Sequence, residues 1–361
     1  MTKIVDIEDI RKKREKKEIG IPIENINKKE LKRRGHEIGD ILGCDEKGEE
    51  ICVRKGKGNL YVDGKEQLFD FMRSQIYQNI QRGDSMVIVD LGSRIYKREL
   101  WIYLTIHGYR VDSYNMDCMT ESDCFNCLDG LGAENEEQIV MIANDIIDDQ
   151  KYKFMTYPVE TVCKALLSAV LLASLTEMEE SDRNMLEIAT IFRLGVSGTM
   201  LDKILHVMFE ELDETSSAKQ LFAMYSEAEE GIRMEAIQKI GNALAVYEKR
   251  ANGSLCDNFR TNRYDMEMPV KEKSVLFIES GQLPEDKVLF SVFMERLYDS
   301  MLKKAEERQQ DVTVMLLDYP YYGGLCGLEK YMEEGPEKGI CTTLYEDDRK
   351  LDGSGYAPHL V

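Results

Sequence analysis

Residues 312–318, Val312-Thr-Val-Met-Leu-Leu-Asp318, are an apolar run with one threonine, closed by a single acid. A short stretch of this kind is how a strand buried on both faces of a parallel sheet reads. Working outward, Pro284-Glu-Asp286 opens a long amphipathic helix through Leu289, Phe293, Leu297, Met301 and Leu302, and residues 274–278 precede it as another apolar strand. Residues 327–333 read as a helix and 340–344 as a last strand. Upstream, Ser85-Met-Val-Ile-Val-Asp90 lies between Gly83-Asp84 and Gly92, which predicts a second central strand, with a helix over 66–80 before it. Residues 98–107 form an apolar-rich helix, Gly108 can stop it, and 109–114 returns as a strand, so 86–114 makes one βαβ element. Residues 52–62, with Gly56, Gly58 and Asn59, suggest one or two strands joined by turns. Strands alternating with helices imply a parallel sheet.

Between these halves the strand signals vanish. From 134 to 248 helical spacing dominates, as in Val159, Val162, Cys163, Leu166 and Val170, in Met185, Ile188, Ile191 and Phe192, and in Leu201, Ile204, Leu205, Met208 and Phe209. The expected organisation is a basic N-terminal arm (1–36), the first part of an α/β domain (37–150), an inserted all-helical domain (151–265), the second part of the α/β domain (266–345) and a flexible tail (346–361).

A chain of 361 residues with 43% hydrophobic content can bury a substantial core. Its formal charge of -20 repels nucleic-acid backbone and anionic membrane alike, so nucleic-acid binding through the acidic body is disfavoured. Residues 1–35 are the exception, with twelve Lys/Arg against seven Asp/Glu concentrated in Arg11 to Lys17 and Lys28 to Arg34. Such a run reads as a solvated helix or disordered arm, or as a DNA contact. Nine cysteines without a secretory signal read as reduced thiols, so a cytoplasmic location is expected. The longest apolar run, Ala165 to Leu175, falls short of the roughly 20 residues of a membrane span and reads as a buried helix.

Three phrases then recur in an informative order: Val89-Asp-Leu-Gly-Ser-Arg-Ile-Tyr96, His107-Gly-Tyr-Arg-Val-Asp112 and Ser122-Asp-Cys-Phe-Asn-Cys-Leu128. With the helical block and the strand, helix and acid-terminated strand that follow, the chain from about 38 to 345 resembles the TraG-like coupling proteins of conjugative type IV secretion. Those are hexameric ATPases that bring relaxase-bound DNA to a transfer channel. The resemblance implies a RecA-like, P-loop-type parallel sheet flanked by helices with an inserted all-helical domain, and it makes Asp318 the counterpart of the acid that helps hold magnesium.

The departures from that family concern its chemistry. No Gly-x-x-x-x-Gly-Lys-Ser/Thr occurs anywhere, so the backbone cradle and lysine for a β/γ-phosphate are missing. Where the family has its phosphate loop, this chain has Asp63-Gly-Lys-Glu-Gln-Leu-Phe-Asp70; Gly64 survives, and Lys65 follows it five residues too early. Asp63 and Glu66 put negative charge where an anion needs N–H donors. After Asp318 the family's glutamate is replaced by Tyr319, whose unperturbed pKa of about 10 rules it out as the base near neutral pH. The family's Arg-Ser-Arg phrase is replaced by Glu334-Gly-Pro-Glu-Lys-Gly339. Gly64, Lys65, Asp318 and Tyr319 are thus read as a degenerate remnant of a nucleotide site, with no catalytic residue assigned.

Other constellations read more plainly. Cys118, Cys124 and Cys127 have zinc-like spacing but no histidine within the segment, so a thiol cluster without metal is expected. His36, His107, His206 and His359 are scattered and no Gly-x-Ser-x-Gly is present. Methionines at helical spacing in the middle block read as core. The turn Tyr319-Pro-Tyr-Tyr-Gly-Gly324 follows a central strand, where open α/β sheets bind ligands, and makes Tyr321, Tyr322 and Gly323 candidates for partner contact.

The resulting expectation is a pseudo-ATPase without cofactor that binds a protein, a coupling ATPase or a relaxase complex, as a cytoplasmic monomer or dimer rather than a hexamer. It would reach the inner face of the membrane only through that partner, since the family's membrane segments are absent from this sequence. The alternatives are a Mg/ATP-binding or weakly active ATPase with a non-standard loop at Gly64 and Lys65, and a DNA-contacting factor that uses the basic arm.

Overall fold

The computed structural model describes residues 3–5, 38–44, 50–54, 59–63, 68–90, 95–116, 118–148, 155–195, 199–250, 257–261, 263–279, 286–317 and 327–346. Nine strands are present among them: β1 (Lys3–Val5), β2 (Ile38–Cys44), β3 (Glu50–Arg54), β4 (Leu60–Asp63), β5 (Ser85–Asp90), β6 (Arg110–Asn115), β7 (Ser274–Glu279), β8 (Val312–Leu317) and β9 (Ile340–Glu346). The helices used below are α1 (Leu68–Arg82), α2 (Ile95–Ile106), α3 (Glu136–Asp148), α4 (Tyr157–Glu177), α5 (Met185–Gly195), α6 (Thr199–Glu210), α7 (Ser217–Ser226), α8 (Glu230–Arg250), α9 (Asp257–Arg260), α10 (Met268–Lys271), α11 (Asp286–Lys304) and α12 (Leu328–Glu334). Two compact units result, one of Met1–Ser113, Asp265–Ser280 and Leu297–Val361, the other of Tyr114–Tyr264 and Gly281–Arg296.

The first unit is built on a sheet in the order β4-β9-β8-β5-β7-β6, and the pairings from β4 through to β7 are parallel. Every residue of β7 and β8 is buried, as their unbroken apolar runs require when both faces of a sheet are covered. Alternation divides the faces. Met86 and Ile88, Val275 and Phe277, Met315 and Leu317, and Tyr345 share one core cluster with Met72, Ile76 and Ile80 of α1 and Leu100 and Leu104 of α2. Val87, Leu276 and Val314 lie level with one another and belong to the opposite face. Thr342 shares that level, and its hydroxyl is 2.8 Å from the Tyr298 hydroxyl of α11.

Helix α1 is fastened to the sheet by buried polar groups as well as by packing. Gln75 Nε2 donates to Thr343 Oγ1 at 2.9 Å, the Tyr345 hydroxyl donates to Gln75 Oε1, and Thr313 Oγ1 donates to Asn79 Oδ1 at 3.0 Å. The partners lie on the α1-facing side of β8 and β9, so these bonds fix the helix's position along the strands as apolar contact alone would not. The helix stops at Gly83, whose φ of 84° is left-handed, with Gly83 N and Asp84 N both donating to the Asn79 carbonyl. Gly108 (φ 78°) ends α2 in the same way, as the sequence predicts.

A separate three-stranded sheet has the order β1-β3-β2, with β1 parallel and β2 antiparallel to β3. Lys3–Val5, inside the stretch expected to be a solvated arm, is therefore a paired strand; Arg11 to Lys17 and Lys28 to Arg34 lie outside the described residues.

The second unit is helical. Helix α4 is long and apolar enough to cross a membrane, yet 78% of its apolar window is buried. It packs against α3, α7 and α8, so its apolar residues are covered by other helices of the same unit. Tyr114, Phe125 and Phe293 form its aromatic centre, with Tyr114 and Phe293 stacked at 4.0 Å and Phe125 edge-on to both.

Candidate functional site

Open parallel sheets receive ligands at the carboxyl ends of their strands. Register decides which residues reach that edge. Val62 of β4, Tyr345 of β9 and Leu317 of β8 are level, and one residue below them Leu344, Leu316, Val89 and Ile278 form the preceding row. Strands β4, β9, β5 and β7 consequently end at Asp63, Glu346, Asp90 and Glu279, and Asp318 follows the last residue of β8. All five parallel strands close on, or lead into, an acidic residue. Phosphate is ordinarily held by backbone N–H groups, a helix N-terminus and a Lys or Arg, and a row of acids opposes it.

At Glu279 the acid is neutralised internally. Its side chain is buried, and Lys97 Nζ from α2 approaches Oε2 at 2.7 Å while donating to Ser113 Oγ at 2.8 Å. The Ser113 hydroxyl in turn donates to the same Glu279 oxygen at 3.3 Å. A lysine that could have faced a ligand is thus engaged in holding α2 to β6 and β7. Sequence reasoning passed over this trio. The available signal was an acid closing an apolar strand, because a carboxylate buried there is costly without a cation.

The remnant residues Gly64, Lys65, Asp318 and Tyr319 lie outside the described residues, as do the partner-contact candidates Tyr321, Tyr322 and Gly323. Their flanks are fixed. Asp63 ends β4 and α1 begins at Leu68; Leu317 ends β8 and the described chain resumes at Gly327. Strand β9 lies between β4 and β8, so the two segments leave the sheet from the same edge, one strand apart.

Of the three spaced thiols, Cys124 and Cys127 are buried and Cys118 is half-buried, 3.0 Å from Thr120 Oγ1. Among the described residues no three His, Cys, Asp or Glu side chains converge as metal ligands would. Burial pushes the Cys127 thiol up to about 12 against the downward pull of Arg296, and burial with Glu235 nearby does the same to Cys163. Because only the thiolate reacts, both should resist a disulfide reagent at pH 8 until the chain unfolds, and half-buried Cys118 should be modified before either of them. Modification of Cys127 in the folded protein at the rate of a free thiol would contradict this. Both thiols also lower stability as pH rises from 9 to about 12, since the unfolded chain there binds fewer protons than the folded one, and have no such effect below 9.

Where Tyr114, Phe125, Cys127, Met185, Tyr247, Phe259 and Leu289 meet, the space between them does not admit a water molecule. The loop phrase 122–128 is structural: Ser122 Oγ accepts from Asn115 N at 3.0 Å, and Asn126 Nδ2 donates to the Arg183 carbonyl at 2.8 Å.

A parallel sheet of this order, flanked by helices and carrying a helical unit between its strands, has the RecA-like P-loop NTPase fold. Within that class it is the fold of the conjugative coupling proteins. The bacterial conjugative coupling protein TrwBΔN70, in its unbound monoclinic form, superposes with a TM-score of 0.59 at 15% identity over 91% of this chain and 70% of its own. TrwB with the non-hydrolysable analogue ADPNP gives 0.57 at 16% identity over 92% and 76%, and TrwB with ADP and Mg2+ gives 0.55 at 17% over 81% and 64%. At these identities the likeness is one of fold. No protein-family model matches the sequence, and no curated protein does.

Proposed function

We propose that this protein is a non-catalytic relative of the conjugative coupling proteins that serves a type IV secretion-related process by binding a protein, as a monomer or dimer. The observation that carries the reading is the acidic carboxyl edge of the sheet. TrwB takes ADP with Mg2+ and ATP and GTP analogues on this fold. Here the stretch after β4 reads Asp63-Gly-Lys-Glu66 in place of a phosphate loop, and Lys97 is bound to Glu279. What survives is a scaffold: a rigid α/β unit and a densely packed helical unit, each able to present a surface without nucleotide. A coupling ATPase or a relaxase complex is the partner this reading favours, at the cytoplasmic side of a membrane. The domain division follows the same logic, with the helical stretch as an insertion in the α/β chain.

Titration calorimetry with ATP and ADP in the presence of magnesium, on the full chain and on Asp318→Ala, tests it. No heat is expected at millimolar nucleotide. Micromolar binding that disappears in Asp318→Ala would overturn it. The competing reading, a nucleotide site with a non-standard loop, draws on the register: segments 64–67 and 318–320 leave one edge with only β9 between them.

A further inference from the structure

We draw no further inference here: the strongest candidate, the exposed apolar patch that Ile102 and Ile106 form on α2 of the α/β unit, has nothing among the described residues to show what covers it.

Discussion

Arg250→Met should destabilise the protein by about 3–5 kcal/mol, the range for removing one partner of a buried ion pair. Asp286 has no exposed side-chain surface, and Arg250, at the end of α8, reaches its Oδ1 with Nη2 at 2.6 Å and Nε at 3.0 Å. Asp286 also stands in the first turn of α11, where a carboxylate is favoured by the helix dipole. Taking away the guanidinium leaves that charge in a dry setting. Asp286→Asn, which keeps an acceptor and drops the charge, should cost less. The double variant Arg250→Met/Asp286→Leu should recover much of the loss, because apolar replacement of a whole buried pair is often neutral. Urea titration of the four proteins gives the cycle. A single-variant loss under 1 kcal/mol, against the expected range of about 3–5 kcal/mol, would mean that water reaches the aspartate.

Much of the fold was legible because its central strands are buried on both faces. Residues 274–278, 312–318 and 85–90 announce themselves as unbroken apolar runs, and the structure places β7, β8 and β5 there within a residue at each end. Gly108 stops its helix for the backbone reason the sequence offers. The small sheet was not legible. Its parallel pairing of Lys3–Val5 with β3 joins residues 48 apart, and nothing local in three residues specifies a partner at that range.

The candidate site divides along the same line. The missing phosphate loop and the Tyr319 substitution are statements about sequence and needed no coordinates. The acidic edge needed register, because Asp63, Asp90, Glu279 and Glu346 are remote from one another in the chain and become one feature only when the strands are aligned. Lys97 and Glu279 are 182 residues apart. The exposed face of α2 was hidden for a different reason: a helix apolar on most sides has no periodicity to betray which side is free, so Ile102 and Leu104 look equivalent until one is 69% exposed and the other wholly buried.

Phe293→Ala should be the largest single core loss in the helical unit, about 3–5 kcal/mol, with the cavity left behind adding to the lost transfer energy. The ring is fully buried, stacked on Tyr114 with centroids 4.0 Å apart and planes 9° apart, edge-on to Phe125 at 4.8 Å, and 6.2 Å from Tyr264. Three aromatic neighbours converge on it, and rigid rings cannot fold into the vacated space as a leucine or methionine would. Collapse should therefore be slight and the cost near the top of the range. Phe293→Leu keeps most of the volume and should lose about half as much. An unrelaxed apolar hole of this kind stays dry and takes up a small aromatic molecule, so benzene should raise the melting temperature of Phe293→Ala and leave that of the native protein unchanged. If benzene does nothing and the loss is small, α11 has shifted to close the gap, and the helical unit is softer than its aromatic centre implies.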